Sequence, residues 1–175
     1  MIFRLSQKLS TKIKTGPLKA MPLGDNPYAD WSCHPFSANR TQFVILTNTK
    51  SLYSCVTYAK GITDDSRFIE RALSSLREFM EGDGQAFVYE KFIAPASGTV
   101  NFAKALSRSV TGSMNDHVQA IKFYLADDMA PSEIGFRLNK TPMSALIGAD
   151  GRKYAHPRDA FKRLANQFIE GESGD

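Results

Sequence analysis

The sequence is poor in cysteine and histidine, from which most structural metal sites are built. It has two cysteines, Cys33 and Cys55, and three histidines among 175 residues. No set of them has the spacing of a zinc site, which needs at least three ligands, so we expect no metal and no cofactor. A disulfide between the two cysteines is arithmetically allowed, but two buried free thiols are the better interpretation.

Long apolar runs and targeting signals are also missing. The longest apolar stretches span about five residues, as at 43–46, whereas a membrane helix needs roughly 20. The N-terminal segment breaks its apolar run at Arg4 and lacks the apolar centre of a signal peptide. We therefore expect a cytoplasmic protein with no membrane partner.

The sequence motifs of the common enzyme classes are absent as well. There is no GxxxxGK[ST] loop and no GxGxxG, GxSxG, HExxH or paired CxxC pattern. These absences remove the readily recognised nucleotide-binding, hydrolase and zinc classes. They leave open whether the protein is an enzyme.

The sequence does contain enough apolar material for one folded domain. Hydrophobic residues make up 42% of the chain and charged residues 23%, with 12 Phe and 6 Tyr. A chain of this length buries about 70% of its unfolded surface. We predict a single domain over residues 1–170, followed by a frayed acidic tail at 171–175.

Periodicity predicts both strands and helices. Strand patterns lie at residues 2–5, in a hairpin formed by 41–47 and 51–58, and in a third strand at 86–89. Helical spacing begins at five points, which are Ser6, Asp64, Ser113, Pro131 and Pro157. Residues 16–40 are predicted to be a loop, and 100–106 fit a strand or a short helix equally well.

The order of these elements predicts the fold class. A hairpin, a helix, a strand and then mostly helices lack the strict alternation of a doubly wound sheet. We predict an α+β fold, a two-layer single domain in which a small, largely antiparallel sheet has helices packed on one face.

Charge is spread unevenly along the chain, whose net charge is +4. Residues 1–60 hold eight Lys or Arg and two Asp, a local excess of +6. The excess is concentrated in Arg4, Lys8, Lys12, Lys14 and Lys19. We call Lys8, Lys12 and Lys14 the basic arm. They predict either contact with nucleic acid or another acidic partner, or simply a solvated helix face.

A second candidate site combines two arginines with a predicted helix start. Arg40 precedes the strand at 41–47, and Arg108 precedes Gly112, at which the chain could turn into a helix beginning at Ser113. Free amides in a first helical turn and a nearby Arg can bind an anion. The alternative is that these arginines hold loop carbonyl groups.

Several segments resemble a family of small bacterial proteins that carry a domain of unknown function. The resemblance rests on Trp31, on Asn39-Arg40 leading into 43–48, on Leu52 and Ser54, on the RSVTGSMND run at 108–116 and on 138–143. It implies a shared fold and brings no activity with it. The matching polar residues, which we expect at any shared site, are Asn39, Arg40, Asn48, Arg108, Asn115 and Asp116.

Three functions remain open on these observations. We favour a non-catalytic binding or interaction module with a nucleic acid or protein partner. The alternative is an enzyme for a phosphorylated or other anionic substrate, with Arg40 and Arg108 holding the anion and Asp116 or His117 moving a proton. An aromatic-rich chain could also bury a homodimer face.

Overall fold

The computed structural model describes residues 1–148, 151 and 153–172, with 167–172 described by their backbone alone. Its elements follow in the order β1 (Ile2–Leu5), α1 (Gln7–Lys12), a 3-10 turn (Pro27–Ala29), β2 (Asp30–Ala38), β3 (Thr41–Asn48), β4 (Ser54–Tyr58), α2 (Asp65–Gly82), α3 (Ala86–Val88), a π-helical turn (Tyr89–Ile93), a second 3-10 turn (Pro95–Gly98), β5 (Asn101–Ala103), α4 (Arg108–Ala126), α5 (Pro131–Leu138) and α6 (Pro157–Glu172). Within these residues, no helix combines the length and the apolar character needed to cross a bilayer. The frayed tail at 171–175 stays a prediction, since residues 173–175 lie outside the described residues.

One mixed sheet of five strands, in the order β4-β3-β2-β1-β5, forms the centre of the fold. β3 pairs antiparallel with β2 and β4, whereas β1 pairs parallel with β2 and β5. Two of the four strand pairings are parallel, both made by β1, so the sheet is mixed and less antiparallel than predicted. Residues 30–38 of the predicted loop 16–40 form its central strand β2. Most of β2 is buried on both faces, so it lacks the alternation that marks a half-exposed strand.

Helices cover both faces of this sheet. On the first face, α1, α2 and α6 pack against Trp31 and Cys33. On the second face, α4 and α5 pack against Phe36 and Ile45. Side chains alternate along a strand, so neighbouring residues of β2 belong to opposite layers. The prediction of a single α+β domain is confirmed, but the helices form a layer on each side of the sheet rather than on one face.

Two predicted elements differ in type or length. Residues 86–89, predicted as a third strand, are helical, and α4 begins at Arg108 rather than at Ser113. The Ser107 hydroxyl caps α4 by accepting from the Val110 amide at 3.3 Å. The chain is therefore already helical when it reaches Ser113.

A buried ion pair ties the long loop after α1 to the sheet. The Arg4 guanidinium on β1 donates to both carboxylate oxygens of Asp30 on β2, at 2.8 and 2.7 Å. Its other N–H groups donate to the carbonyl oxygens of Met21, Pro22 and Lys104. Neither charged side chain is exposed, so Arg4 does not contribute to the basic surface of the N-terminal third.

Candidate functional site

The two arginines predicted to share an anion site lie at opposite ends of α4. Next to Arg40, the Asn39 Nδ2 donates to the Leu125 carbonyl oxygen at 3.0 Å, near the C-terminal end of the helix. Arg108 is the first residue of the same helix. The helical rise of 1.5 Å per residue separates Leu125 from Arg108 by about 25 Å. The two arginines therefore do not form one pocket.

The other polar residues predicted for this site are also dispersed. Asn48 is buried and holds the β3–β4 connection, where its Oδ1 accepts from the Ser51 amide at 3.0 Å. Asn115 and Asp116 are exposed in the interior of α4. Amides in a helix interior are bonded to carbonyl groups of the preceding turn. Residues 112–117 are thus not the helix start on which the predicted anion site depends.

The basic arm does reach the surface. Lys8 and Lys12 lie one turn apart on α1, and Lys14 follows the helix with a left-handed φ of 58°. The first two border a shallow cleft of about 210 Å³, where the Lys12 Nζ donates to Gln42 Oε1 at 3.3 Å. Phe36, the aromatic residue in this cleft, is buried, so the cleft offers no aromatic face on which a base could stack.

A larger groove runs along the outer edge of β4, and we call it the edge groove. Its volume is about 500 Å³. Strand β4 forms its floor, while α2 and the start of α5 form its walls. Its lining consists of residues 55–58, Ser75, Glu78, Phe79, Gly82, residues 130–132 and Phe136.

The hydrogen-bonding pattern of β4 determines which backbone groups face this groove. In antiparallel strands, only every second residue bonds to the partner strand. Just beyond β4, the Ala59 amide donates to the Gln42 carbonyl oxygen at 2.9 Å. Because Ala59 bonds to β3, so do Thr57 and Cys55 in the β3–β4 register. The alternate residues, Ser54, Val56 and Tyr58, point their N–H and C=O groups away from β3.

Two of these outward-facing residues have partners. Asn139, just after α5, replaces a neighbouring strand, because its Oδ1 accepts from the Ser54 amide at 2.8 Å and its Nδ2 donates to the Ser54 carbonyl oxygen at 2.9 Å. Arg71 Nη1 donates to the Tyr58 carbonyl oxygen at 2.9 Å. Between them, the N–H and C=O of Val56 have no hydrogen-bond partner among the described residues. The edge groove therefore contains one residue of a strand edge, Val56, with both backbone groups unpaired, and the Tyr58 N–H likewise has no partner among the described residues.

Two glycines bring α2 and α5 together beside this groove. A Cβ at Gly135 of α5 would lie 2.6 Å from the Phe79 ring of α2, and a Cβ at Gly82 of α2 would lie 3.3 Å from the Phe136 ring of α5. The two rings are 4.9 Å apart between centroids. Each helix thus places a phenylalanine against a glycine of the other, and this contact fixes the separation of the groove walls.

The groove carries one unneutralised charge. Glu78 is exposed on the α2 wall, and no described cation lies within ion-pairing distance of it. Deeper in, the Ser75 hydroxyl donates to Thr57 Oγ1 at 2.9 Å. No group of three or more His, Cys, Asp or Glu side chains in the described part of the chain could hold a metal ion. The groove therefore combines an unpaired strand backbone with one exposed carboxylate.

A buried histidine lies behind the end of the groove. His117 Nδ1 is 3.1 Å from Ser54 Oγ, which donates to the Leu52 carbonyl oxygen at 2.8 Å. His117 Nε2 has no partner among the described residues. Burial lowers the pKa of His117 to about 4, an effect that the Asp116 carboxylate partly opposes. Since Ser54 and His117 are both buried, this neutral pair cannot reach a substrate.

Sequence reasoning missed the residues that form the edge groove. Val56 contributes its backbone to the groove, whatever its side chain. Gly82 and Gly135 contribute because they have no Cβ, which leaves room for a phenylalanine ring. Asn139 lies in the segment 138–143 and Ser54 is a single matching residue of the family resemblance, and these were the available signals. The role of Asn139 depends on a contact across 85 residues of sequence, which no local pattern predicts.

The chain belongs to the family defined by the domain of unknown function DUF6933, whose family model matches residues 2–160. The predicted resemblance to an uncharacterised family is confirmed. Comparison with curated proteins and with solved structures finds no match.

Proposed function

We propose that the protein is a cytoplasmic, non-catalytic binding module whose edge groove takes up an extended segment of a partner protein. The observation that carries this proposal is the unpaired N–H and C=O of Val56 inside a groove. An unpaired strand edge binds an extended chain through backbone hydrogen bonds, as in β-augmentation. The partner supplies the strand that is missing between Asn139 and Arg71.

The size of the groove suits a short single strand. A strand lies about 4.8 Å from its neighbour, and three of its residues span about 10 Å. The groove volume of about 500 Å³ accommodates such a piece. Asn139 closes one end by occupying the backbone of Ser54 and Arg71 takes the Tyr58 carbonyl oxygen at the other end, so the backbone pairing of the segment centres on Val56.

A second copy of this chain does not fit the same edge. The backbone of Val56 is recessed between α2 and α5, and the same helices flank the edge of any second copy. Two recessed edges cannot approach to the spacing of about 4.8 Å that strand pairing requires. A lone extended segment has no flanking helices and can enter.

The test is a selection of random heptapeptides displayed on phage against the intact protein. We expect peptides whose binding is lost in Ser132→Trp, which places an indole at the groove wall. Binding should persist in Ser74→Trp, which changes an exposed position of α2 outside the groove lining. Amide NMR of wild type with a selected peptide should move the Val56 resonance, and enrichment that survives Ser132→Trp would refute the proposal.

Binding of nucleic acid through the basic arm is the alternative outcome of these tests. If the partner is nucleic acid, replacing Lys8, Lys12 and Lys14 with Ala should weaken binding of single-stranded DNA and flatten its salt dependence. We expect no such loss, because the cleft beside Lys8 and Lys12 lacks an exposed aromatic face. The enzyme alternative has less support, since Arg40 and Arg108 lie far apart.

A further inference from the structure

We infer that the segment bound in the edge groove carries a Lys or Arg directly beside an apolar residue, with the cation facing Glu78. The inference rests on the proposed function and adds the side-chain chemistry of the partner. It follows from the alternation of side chains along a strand and from the different character of the two sides of the groove.

The residue of the partner that pairs with Val56 must be the apolar one. Paired residues on adjacent strands point their side chains to the same face of the sheet. Val56 points to the second face, where it belongs to the apolar cluster formed with α4 and α5. Tyr58, two residues on, points the same way and is 48% exposed, so its ring provides apolar surface beside this position.

The residues on either side of the apolar one point to the opposite face, toward α2. There the partner strand lies opposite Cys55 and Thr57, whose side chains lie on the first face. Ser75 already contacts Thr57 and Arg71 is engaged by the Tyr58 carbonyl oxygen at the end of the groove, which leaves Glu78 as the acidic group of this wall. The alternation is the same for a parallel and an antiparallel partner, so the pattern does not depend on chain direction.

The charge of the whole chain makes this preference specific to the groove. The net charge is +4, so non-specific electrostatics would favour acidic peptides over basic ones. A preference for basic peptides can then come only from a local acidic group. In the groove lining that group is Glu78.

The experiment compares two acetylated and amidated pentapeptides, Thr-Lys-Val-Lys-Thr and Thr-Glu-Val-Glu-Thr, by NMR titration against the full chain. We expect wild type to bind the lysine peptide about tenfold more tightly. Glu78→Gln should remove the preference, and Glu78→Lys should reverse it. Glu70→Lys is the matched control, since it makes the same change at an exposed position of α2 about 12 Å away along the axis.

The outcomes separate this inference from the proposed function. If the two peptides shift the Val56 amide equally, or if Glu70→Lys reverses the preference as strongly as Glu78→Lys, the partner is an extended segment without the cation and the inference is wrong. If neither peptide moves the Val56 amide and the phage selection gives no groove-dependent binder, the proposed function fails, and the inference fails with it.

Discussion

Mild acid should destabilise the protein through His117, whose imidazole is buried against Ser54. Burial holds the pKa of His117 near 4 in the folded chain, whereas an unfolded histidine titrates at about 6.5. Between these values the unfolded state binds more protons, so the free energy of unfolding falls as the pH falls. Each pH unit in this window is worth about 1.4 kcal/mol, so going from pH 7 to pH 5 should remove about 2 kcal/mol.

The assay is urea unfolding at pH 7 and pH 5, on wild type and on His117→Gln. Glutamine cannot take up the proton, so the loss of about 2 kcal/mol should be largely absent from the variant. The comparison also removes the contribution of His34, whose pKa is lowered by burial and by Lys8, because both proteins share it. If wild type and His117→Gln lose stability equally between pH 7 and pH 5, His117 is not held neutral as described.

Two further predictions concern stability, each measured by urea unfolding at pH 7. Asp30→Asn leaves the buried Arg4 guanidinium without its counterion and should lower the free energy of unfolding by about 3–5 kcal/mol; a loss below about 1 kcal/mol would contradict the described burial. Gly135→Ala should cost about 1–3 kcal/mol, because its Cβ would meet the Phe79 ring. The same change at Gly112, inside α4 with open space around it, should instead stabilise by about 0.5–1 kcal/mol, and equal effects at both glycines would contradict the packing of α5.

Local signals in the sequence predicted the elements that have a regular apolar stripe or a high content of β-branched residues. The helix at Asp65–Gly82 has a regular apolar stripe and a capping Asp64. The hairpin of β3 and β4 is rich in β-branched residues on both sides of a short turn. In each case the pattern lies within a short stretch of sequence and does not depend on contacts from elsewhere in the fold.

The central strand Asp30–Ala38 was missed because, unlike β3, it contains no Val, Ile or Thr. Its residues are buried from both sides, so no alternation marks it, and Pro35 argues against a strand on local grounds. The start of α4 was placed five residues late because Gly112 resembles a turn. Ser107 was the better cap, but a serine is a weak signal beside a glycine.

The candidate site could not be predicted, since its parts acquire a role only after folding. Val56 is an ordinary β residue until its strand becomes an edge. Asn139 becomes a substitute strand only when α5 lies beside Ser54. The predicted site residues Asn39 and Asn48 instead hold turns and helix ends in place. At Asn39 and Asn48, therefore, the resemblance pointed to residues that maintain the fold.

The reciprocal contact of Gly82 and Gly135 with two phenylalanine rings has a thermodynamic consequence for recognition. Helix α5 cannot slide along α2 without bringing a Cβ or a ring into collision. The contact therefore restricts relative movement of the two groove walls. If the groove takes up an extended segment as proposed, most of the ordering entropy on association is lost by the incoming chain, and affinity should depend chiefly on how extended that chain already is in solution.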